Sequence, residues 1–135
     1  KKNEIKEMLR NKKFIKWLGY KKNMRKYYKS AYLVCFPSYH EGCPRSLIES
    51  IGFGLPVVCY DIAGNRNIVK NNINGYRVKL FNYKELANKI IKIIDKEKMY
   101  QKMSKNSLKI SKNFYHSFIV KKHQRIFQKL LNEKY

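Results

Sequence analysis

Two glutamates on either side of a glycine–proline turn are the residues of this chain best suited to chemistry. In YHEGCPRSLIES (residues 39–50), Glu41 precedes the turn and Glu49 follows eight positions later. A carboxylate accepts two hydrogen bonds in a fork, which suits the neighbouring hydroxyls of a ribose or a hexose. The residue types alone leave a second interpretation open, in which Glu41 complements a helix dipole and Glu49 is a solvated helix residue.

The residues between the two glutamates predict an anion-binding turn. Pro44 suits the first turn of a helix. The first N–H groups of that helix, at Arg45, Ser46 and Leu47, would have no partner within the helix and would be free to bind a phosphate. Gly42 lets a ligand come close to the backbone.

These residues must be positioned by alternating strands and helices. The predicted strands are residues 14–19, 32–36, 55–61 and 76–80. The predicted helices are residues 1–10, 24–31 and 46–53, and the remainder after residue 80 is predicted to be helical, with three apolar stripes. A loop is expected at Ala63-Gly64 and a helical turn near Ile68. Because the strands are apolar and alternate with helices, we expect an α/β fold: a Rossmann-like parallel sheet with flanking helices, ending in long C-terminal helices.

Apolar spacing predicts which faces of this helical remainder are buried. The expected stripes are Leu86, Ala87, Ile90, Ile91 and Ile94, then Tyr100, Met103 and Leu108, and finally Ile119, Ile126, Phe127, Leu130 and Leu131.

Charge and composition limit the classes of function. The chain has 135 residues, 44% of them hydrophobic, so we expect one globular domain over 1–135. Lysine and arginine total 31 against nine acidic residues, a net charge of +22. The basic residues are spread along the chain, which favours attraction to an anionic membrane surface over specific binding of nucleic acid. No apolar run is long enough to cross a bilayer.

The three cysteines match neither a zinc site nor a disulfide framework. Cys35 and Cys59 lie in apolar runs and are predicted to be core residues, whereas Cys43 lies in the turn. This usage indicates a reduced, cytoplasmic protein.

A longer ordered set of motifs identifies a family. The stretch 37–69 resembles the C-terminal domain of family 4 retaining glycosyltransferases, which adopt the GT-B fold. The motifs are Pro37-Ser38, the Glu41-x7-Glu49 pair, Gly54-x-Pro56-Val57-Val58, Asp61, Gly64, the Asn74-Gly75 turn and, upstream, Phe14-x-x-x-Leu18-Gly19. The similarity covers roughly residues 12–95.

The resemblance implies a role for each motif residue. Glu41 would be the catalytic residue, in contact with the donor sugar near its reacting end, and Glu49 would bind the ribose hydroxyls. The remaining donor-binding residues would be Gly42, Cys43, Pro44, Arg45, Ser46 and Leu47 for the sugar and diphosphate, with Tyr20, Lys21 and Lys22 near the nucleobase.

The resemblance also implies a reaction. A sugar would pass from a nucleotide-sugar, expected to be a UDP-sugar, with retention of configuration. The acceptor would be a glycan or a polyprenyl-diphosphate-linked sugar in bacterial polysaccharide synthesis, placing the protein in the cytoplasm at the inner membrane face. Members of the class usually need no bound metal and no permanent cofactor, and the sequence has no D-x-D pair.

Two departures from the family pattern bear on these expectations. Asn67 stands where the family commonly has a glutamate. The family's diphosphate-binding Arg/Lys pair and the acceptor domain belong to parts that are not in this chain, so we expect a truncated donor-binding domain that is inactive alone. The alternative is a non-catalytic basic module that binds nucleic acid or an anionic membrane through its lysines.

Overall fold

The fold is built on a three-stranded parallel sheet. A computed structural model of the chain describes residues 7–8 and 12–132. Its strands are β1 (Val34–Phe36), β2 (Val57–Tyr60) and β3 (Gly75–Val78), hydrogen-bonded in the order β1-β2-β3 with both pairs parallel. The predicted alternation and the parallel sheet are confirmed.

Between residues 25 and 132, six helices and one short 3-10 segment connect and cover the strands. They are α1 (Arg25–Ser30), α2 (Arg45–Gly52), α3 (Ala63–Arg66), α4 (Tyr83–Ile94), α5 (Glu97–Ser111) and α6 (His116–Asn132), with the 3-10 segment at Lys112–Phe114. No helix in residues 7–8 and 12–132 is long and apolar enough to cross a membrane.

The central strand β2 is buried on both faces, as its unbroken apolar sequence predicts. Val57 and Cys59 pack with residues of α2 on one side, whereas Val58 and Tyr60 pack with residues of α4 and α5 on the other. Alternate side chains of one strand therefore supply two separate clusters of core residues. Burial also raises the pKa of the Cys59 thiol to about 12, so this cysteine is protonated at neutral pH.

Two glycines are required by the backbone geometry around β2. Gly54 ends the turn after α2 with φ +77°, a backbone conformation that residues other than glycine rarely adopt. At Gly75, a Cβ atom would overlap the carbonyl oxygen of Val57 on the neighbouring strand. The close pairing of β2 and β3 thus depends on a residue without a side chain.

The predicted strand over 14–19 is wrong, as is the expected count of about four strands. This segment forms no ladder with β1, and the Phe14 side chain is 85% exposed. A strand requires a hydrogen-bonding neighbour, and β1 pairs only with β2 within the described residues. The predicted helix over 1–10 lies outside the described residues except for residues 7–8, which are helical.

The loop predicted at Ala63-Gly64 is also wrong, since this segment is α3. The helix begins earlier than the turn expected near Ile68 because Asn65 fixes the corner after β2: its side-chain amide donates to the Tyr60 carbonyl at 2.9 Å, and its N–H donates to the Ile62 carbonyl at 3.0 Å. Asp61 accepts a hydrogen bond from Arg66 Nε at 2.9 Å across the same corner.

The apolar faces of the last helices differ in part from the prediction. On α4 the buried residues are Leu86 and Ile93, whereas Ile91 and Ile94 are exposed. The face that reaches the sheet is thus rotated relative to the predicted stripe. The residues of the stripe predicted for the last helix do lie on α6, but none of the α6 residues is buried. Cys35 is exposed on the edge strand β1 rather than in the core, whereas Cys59 is buried as predicted.

Candidate functional site

The loop between β1 and α2 holds Glu41 through its side chain. Pro37 follows the last residue of β1, and Ser38 comes next. The Ser38 hydroxyl donates to Glu41 Oε1 at 2.9 Å and lies 3.3 Å from the His40 carbonyl oxygen. Both Ser38 and Glu41 are half-buried. The carboxylate is therefore oriented by a neighbour from its own loop.

The backbone of Glu41 is held from the opposite side by Gly64 in α3. A Cβ atom on Gly64 would overlap the Glu41 carbonyl oxygen and would lie 2.8 Å from the Gly42 carbonyl oxygen. The β1–α2 loop and the short helix α3, which follow the carboxyl ends of β1 and β2, therefore contact each other through backbone atoms. In parallel α/β sheets this edge is where ligands bind.

The start of α2 offers fewer unpaired N–H groups than the sequence predicts. The Leu47 N–H donates to the Pro44 carbonyl at 3.1 Å, so Leu47 is not available to an anion. The N–H groups of Arg45 and Ser46 have no acceptor within the described part of the chain. Pro44 precedes the first residue of α2 as its N-cap, with an extended backbone. The start of α2 therefore presents two unpaired N–H groups instead of the predicted three.

Glu49 opens into a cleft on the outer side of α2. The cleft has a volume of about 570 Å³ and is lined by Lys22, Asn23, Met24, Arg25, Tyr28, Glu49 and Phe53. The loop before α1, which the sequence placed near a nucleobase, thus lies beside the glutamate assigned to the ribose. One wall is aromatic, since the Tyr28 and Phe53 rings lie 5.5 Å apart at 32°.

Tyr28 links the cleft to the backbone of α2. Its hydroxyl donates to the Ser46 carbonyl oxygen at 3.3 Å, and its ring is buried. Burial raises the pKa of this hydroxyl, and the negative charge of the nearby Glu49 raises it further. Tyr28 therefore remains a proton donor at neutral pH beside a carboxylate.

The other predicted site residues lie in the clefts near Glu49 or in the exposed loop after Glu41. Lys22 lines the cleft, and Lys21 lines a neighbouring one; Tyr20 is 91% exposed. Gly42 and Cys43 are exposed in the β1–α2 loop. Arg45 lines a smaller cavity of about 260 Å³ with Ile48, Glu49 and Phe114.

Sequence reasoning gave no role to several residues that the structure brings to the site. They are Ser38 beside Glu41, and Asn23, Met24, Arg25, Tyr28 and Phe53 around Glu49. Ser38 belongs to one of the family motifs, but the motif does not predict the direction of its side chain. Phe53 was predicted only as the end of α2.

Metal ligands are not grouped in the part of the chain that the structure describes. No three His, Cys, Asp or Glu side chains there lie close enough together to hold an ion. Asp61, the one aspartate near the site, is paired with Arg66 at 2.9 Å and lies 3.5 Å from Arg77 Nε.

Comparison with known proteins gives three informative similarities. Poly(glycerol-phosphate) alpha-glucosyltransferase from Bacillus subtilis (strain 168) is 33% identical over 115 residues, covering 84% of this chain and 17% of that protein. The Escherichia coli UDP-Gal:alpha-D-GlcNAc-diphosphoundecaprenol alpha-1,3-galactosyltransferase is 30% identical over 95 residues, covering 70% and 24%. The crystal structure of Anabaena HepE in complex with UDP-glucose superposes with a TM-score of 0.80 at 22% identity, covering 96% and 36%.

The similarities fix both the fold and the family. The chain spans about a sixth to a quarter of the length of these two curated relatives, and its α/β architecture is that of GT-B glycosyltransferases, as the motifs of residues 37–69 predicted. The model for glycosyl transferases group 1 matches residues 1–110. The chain therefore belongs to the glycosyl transferases group 1 family.

Proposed function

We propose that residues 1–135 form part of the C-terminal, nucleotide-sugar-binding domain of a retaining glycosyltransferase. The donor is a UDP-sugar, and the acceptor-binding domain lies in another part of the protein. The observation that carries the proposal is the cleft of about 570 Å³, which is lined by Glu49, by residues 22–25 and by the aromatic rings of Tyr28 and Phe53. A nucleoside needs such a combination: an apolar wall for the base and a fork-shaped acceptor for the ribose diol.

The charges around α2 support a diphosphate and a reacting sugar next to this cleft. The free N–H groups of Arg45 and Ser46 and the positive end of the α2 dipole favour phosphate oxygens. Glu41 forms no ion pair with a lysine or arginine of the described residues, although the chain carries 31 of them. Its carboxylate is available to a different positive centre.

Departure of the nucleoside diphosphate separates charge in two directions. Negative charge builds on the phosphate oxygens, where the α2 N-terminus stabilises it, while the sugar becomes oxocarbenium-like and is stabilised by the Glu41 carboxylate. This chemistry needs no metal from the protein, and Gly42 allows the donor to approach the backbone closely.

The names of similar proteins support UDP and a phosphate-bearing acceptor. HepE was crystallised with UDP-glucose, and the Escherichia coli relative is named for UDP-Gal and a diphosphoundecaprenol acceptor. We assign the present protein a hexosyl transfer to a glycan or to a lipid-linked sugar, in bacterial polysaccharide synthesis. A lipid-linked acceptor would bring it to the inner face of the cytoplasmic membrane.

Replacement of Glu49 by alanine tests the cleft. We expect E49A to weaken UDP binding to the full protein about 10- to 100-fold, because a charged hydrogen-bonding partner of the ribose is lost from the cleft. Isothermal titration with UDP, GDP and ADP measures the effect. The fold should be little affected, since Glu49 is exposed, forms no ion pair within the described residues, and leaves the Tyr28 hydroxyl its acceptor at the Ser46 carbonyl.

Two matched variants complete that measurement. Glu97→Ala removes an exposed carboxylate from α5 and should leave the affinity for UDP unchanged. Gly42→Ala adds a methyl where the protein has no atom within 4 Å, so it should lower donor affinity without lowering stability. If none of the three nucleotides binds the wild-type protein, the proposal is wrong.

A second candidate function rests on a different cleft, of about 450 Å³, beside the first. It is lined by Lys21, Lys22, Asn23, Arg25, Lys26 and Lys29, a set with five cations and no acid. Such a surface attracts the headgroups of an anionic membrane, each basic residue contributing about 1 kcal/mol. The protein could bind the membrane here whether or not it transfers sugar.

Neutralising two lysines of this basic cleft tests the second candidate. We expect Lys26→Gln with Lys29→Gln to lower binding to phosphatidylglycerol vesicles about 30-fold, because two favourable charges of about 1 kcal/mol each are lost near the surface. Sedimentation with vesicles measures the effect, and Lys121→Gln with Lys122→Gln on α6 is the charge-matched control. Equal losses in both pairs would show that only net charge matters, and steep salt-dependent binding of single-stranded DNA would favour nucleic acid instead.

A further inference from the structure

Glu41, at the sugar end of the proposed donor site, lies on a loop, whereas Glu49 lies on a helix. The α2 backbone fixes Glu49, but a loop side chain needs separate support to hold one direction. Gly64 supports only the Glu41 backbone. Within the described residues, the one side-chain partner of the Glu41 carboxylate is the Ser38 hydroxyl.

The geometry favours Glu41 over the competing acceptor of this hydroxyl. A serine hydroxyl has one proton to donate. The distance to Glu41 Oε1 is 2.9 Å, whereas the distance to the His40 carbonyl oxygen is 3.3 Å. A carboxylate is also the stronger acceptor, and the pair is partly shielded from water, which strengthens the bond.

The position of Ser38 in the fold makes this support rigid. Ser38 follows Pro37, whose ring fixes its backbone φ angle, directly after the last residue of β1. The hydroxyl that donates the hydrogen bond therefore lies two residues from the sheet, at the start of the loop and not at its centre. The bond occupies Oε1 and leaves Oε2 available to a ligand.

We propose that Ser38 is the positioning residue of Glu41: its hydroxyl holds Oε1 so that the carboxylate is directed at the reacting sugar before the donor binds. This inference rests on the proposed function, because Glu41 must act on the donor for its direction to matter. Ser38 acts through Glu41 and does not contact the reacting atoms.

Kinetics of Ser38 variants in the full protein test the inference, with UDP release from UDP-glucose as the readout and water as the acceptor that takes the glucosyl group. Ser38→Ala should lower kcat about 10- to 100-fold, the usual effect of losing one hydrogen bond to a charged group. KM for UDP-glucose and the Kd for UDP should change less than about threefold, because Glu49 and its cleft are unaltered. Ser38→Thr, which keeps the hydroxyl, should restore most of kcat.

A double-mutant cycle separates positioning from a general structural role. Ser38→Ala should have no further effect on kcat in a Glu41→Gln background, because the carboxylate that it orients is already gone. Ser111→Ala is the matched control: it removes a serine hydroxyl that donates to the Leu108 carbonyl at 2.9 Å, and it should leave kcat unchanged.

Three outcomes would overturn the inference. If S38A retains kcat within about twofold while E41Q is impaired, Glu41 acts without Ser38 and the proposed function stands alone. If S38A lowers kcat equally in both backgrounds, Ser38 acts independently of Glu41. If wild-type protein binds no nucleotide and releases no UDP, the proposed function fails and this inference fails with it.

Discussion

Replacement of Glu41 by glutamine is expected to lower kcat for UDP release from UDP-glucose by about 100- to 1000-fold. Glutamine has nearly the same shape and can still accept a hydrogen bond from Ser38, so only the negative charge is lost. Removing one preorganised electrostatic group from a transition state typically costs that much in rate. The effect should fall on kcat and not on the affinity for UDP, because the charge acts on the sugar as it becomes positive.

Single-turnover UDP release measures this effect in the full protein, with UDP titration in parallel. Glu97→Gln provides a control that removes the same charge from an exposed position on α5. An E41Q protein that keeps kcat within about threefold of wild type would remove Glu41 from the catalytic role. An equal loss of UDP affinity and kcat would instead place Glu41 at the nucleotide.

Replacement of Gly64 by alanine is expected to destabilise the protein by about 2 to 3 kcal/mol, the upper part of the range for overpacking. The new methyl would overlap the Glu41 carbonyl oxygen and crowd that of Gly42, and both atoms belong to backbone. Because backbone cannot rotate away as a side chain can, one of the two segments must move. Urea denaturation at equilibrium measures the change.

Gly52→Ala is the natural comparison for this substitution. Gly52 is the last residue of α2, and a Cβ atom there would have no neighbour within 4 Å. The same change of residue should therefore be neutral or slightly stabilising, since alanine has the higher helix propensity. If G64A is as stable as G52A, the contact between the two segments does not constrain the backbone.

G64A should also have different effects at the two ends of the proposed donor site. The displaced backbone carries Glu41, whereas the cleft around Glu49 is built from α1, α2 and the loop before α1. We therefore expect kcat to fall while UDP affinity changes little at a temperature where the variant is folded.

The fold was predictable where residue pattern alone decides local structure. The apolar run at 55–61 had to be a buried parallel strand, and Gly54 had to end the preceding helix; both are confirmed by β2 and by φ +77° at Gly54. The segment 14–19 has the composition of a strand, yet it forms none, because composition does not supply a neighbouring strand.

The spacing of the candidate site residues in the sequence was predictable, but their contacts with distant segments were not. The eight-residue spacing between Glu41 and Glu49 is visible in the sequence. The approach of Gly64 to Glu41 and the packing of Tyr28 behind Glu49 depend on how helices pack on the sheet, which no local pattern encodes. The anion site was overestimated because the Pro44 carbonyl accepts the Leu47 N–H.

The order β1-β2-β3 has a consequence for how the chain folds. Each strand pairs with the next one along the sequence, Val34 with Val57 and Val57 with Gly75, so each crossover closes a loop of moderate length. Such loops cost less entropy to close than longer ones would, so pairing each strand with the next is less costly than pairing distant strands. The Ser107–Leu55 hydrogen bond joins positions 52 residues apart and docks α5 onto α2, so we expect it to form after the sheet. The unit can thus assemble strand by strand in the direction of synthesis.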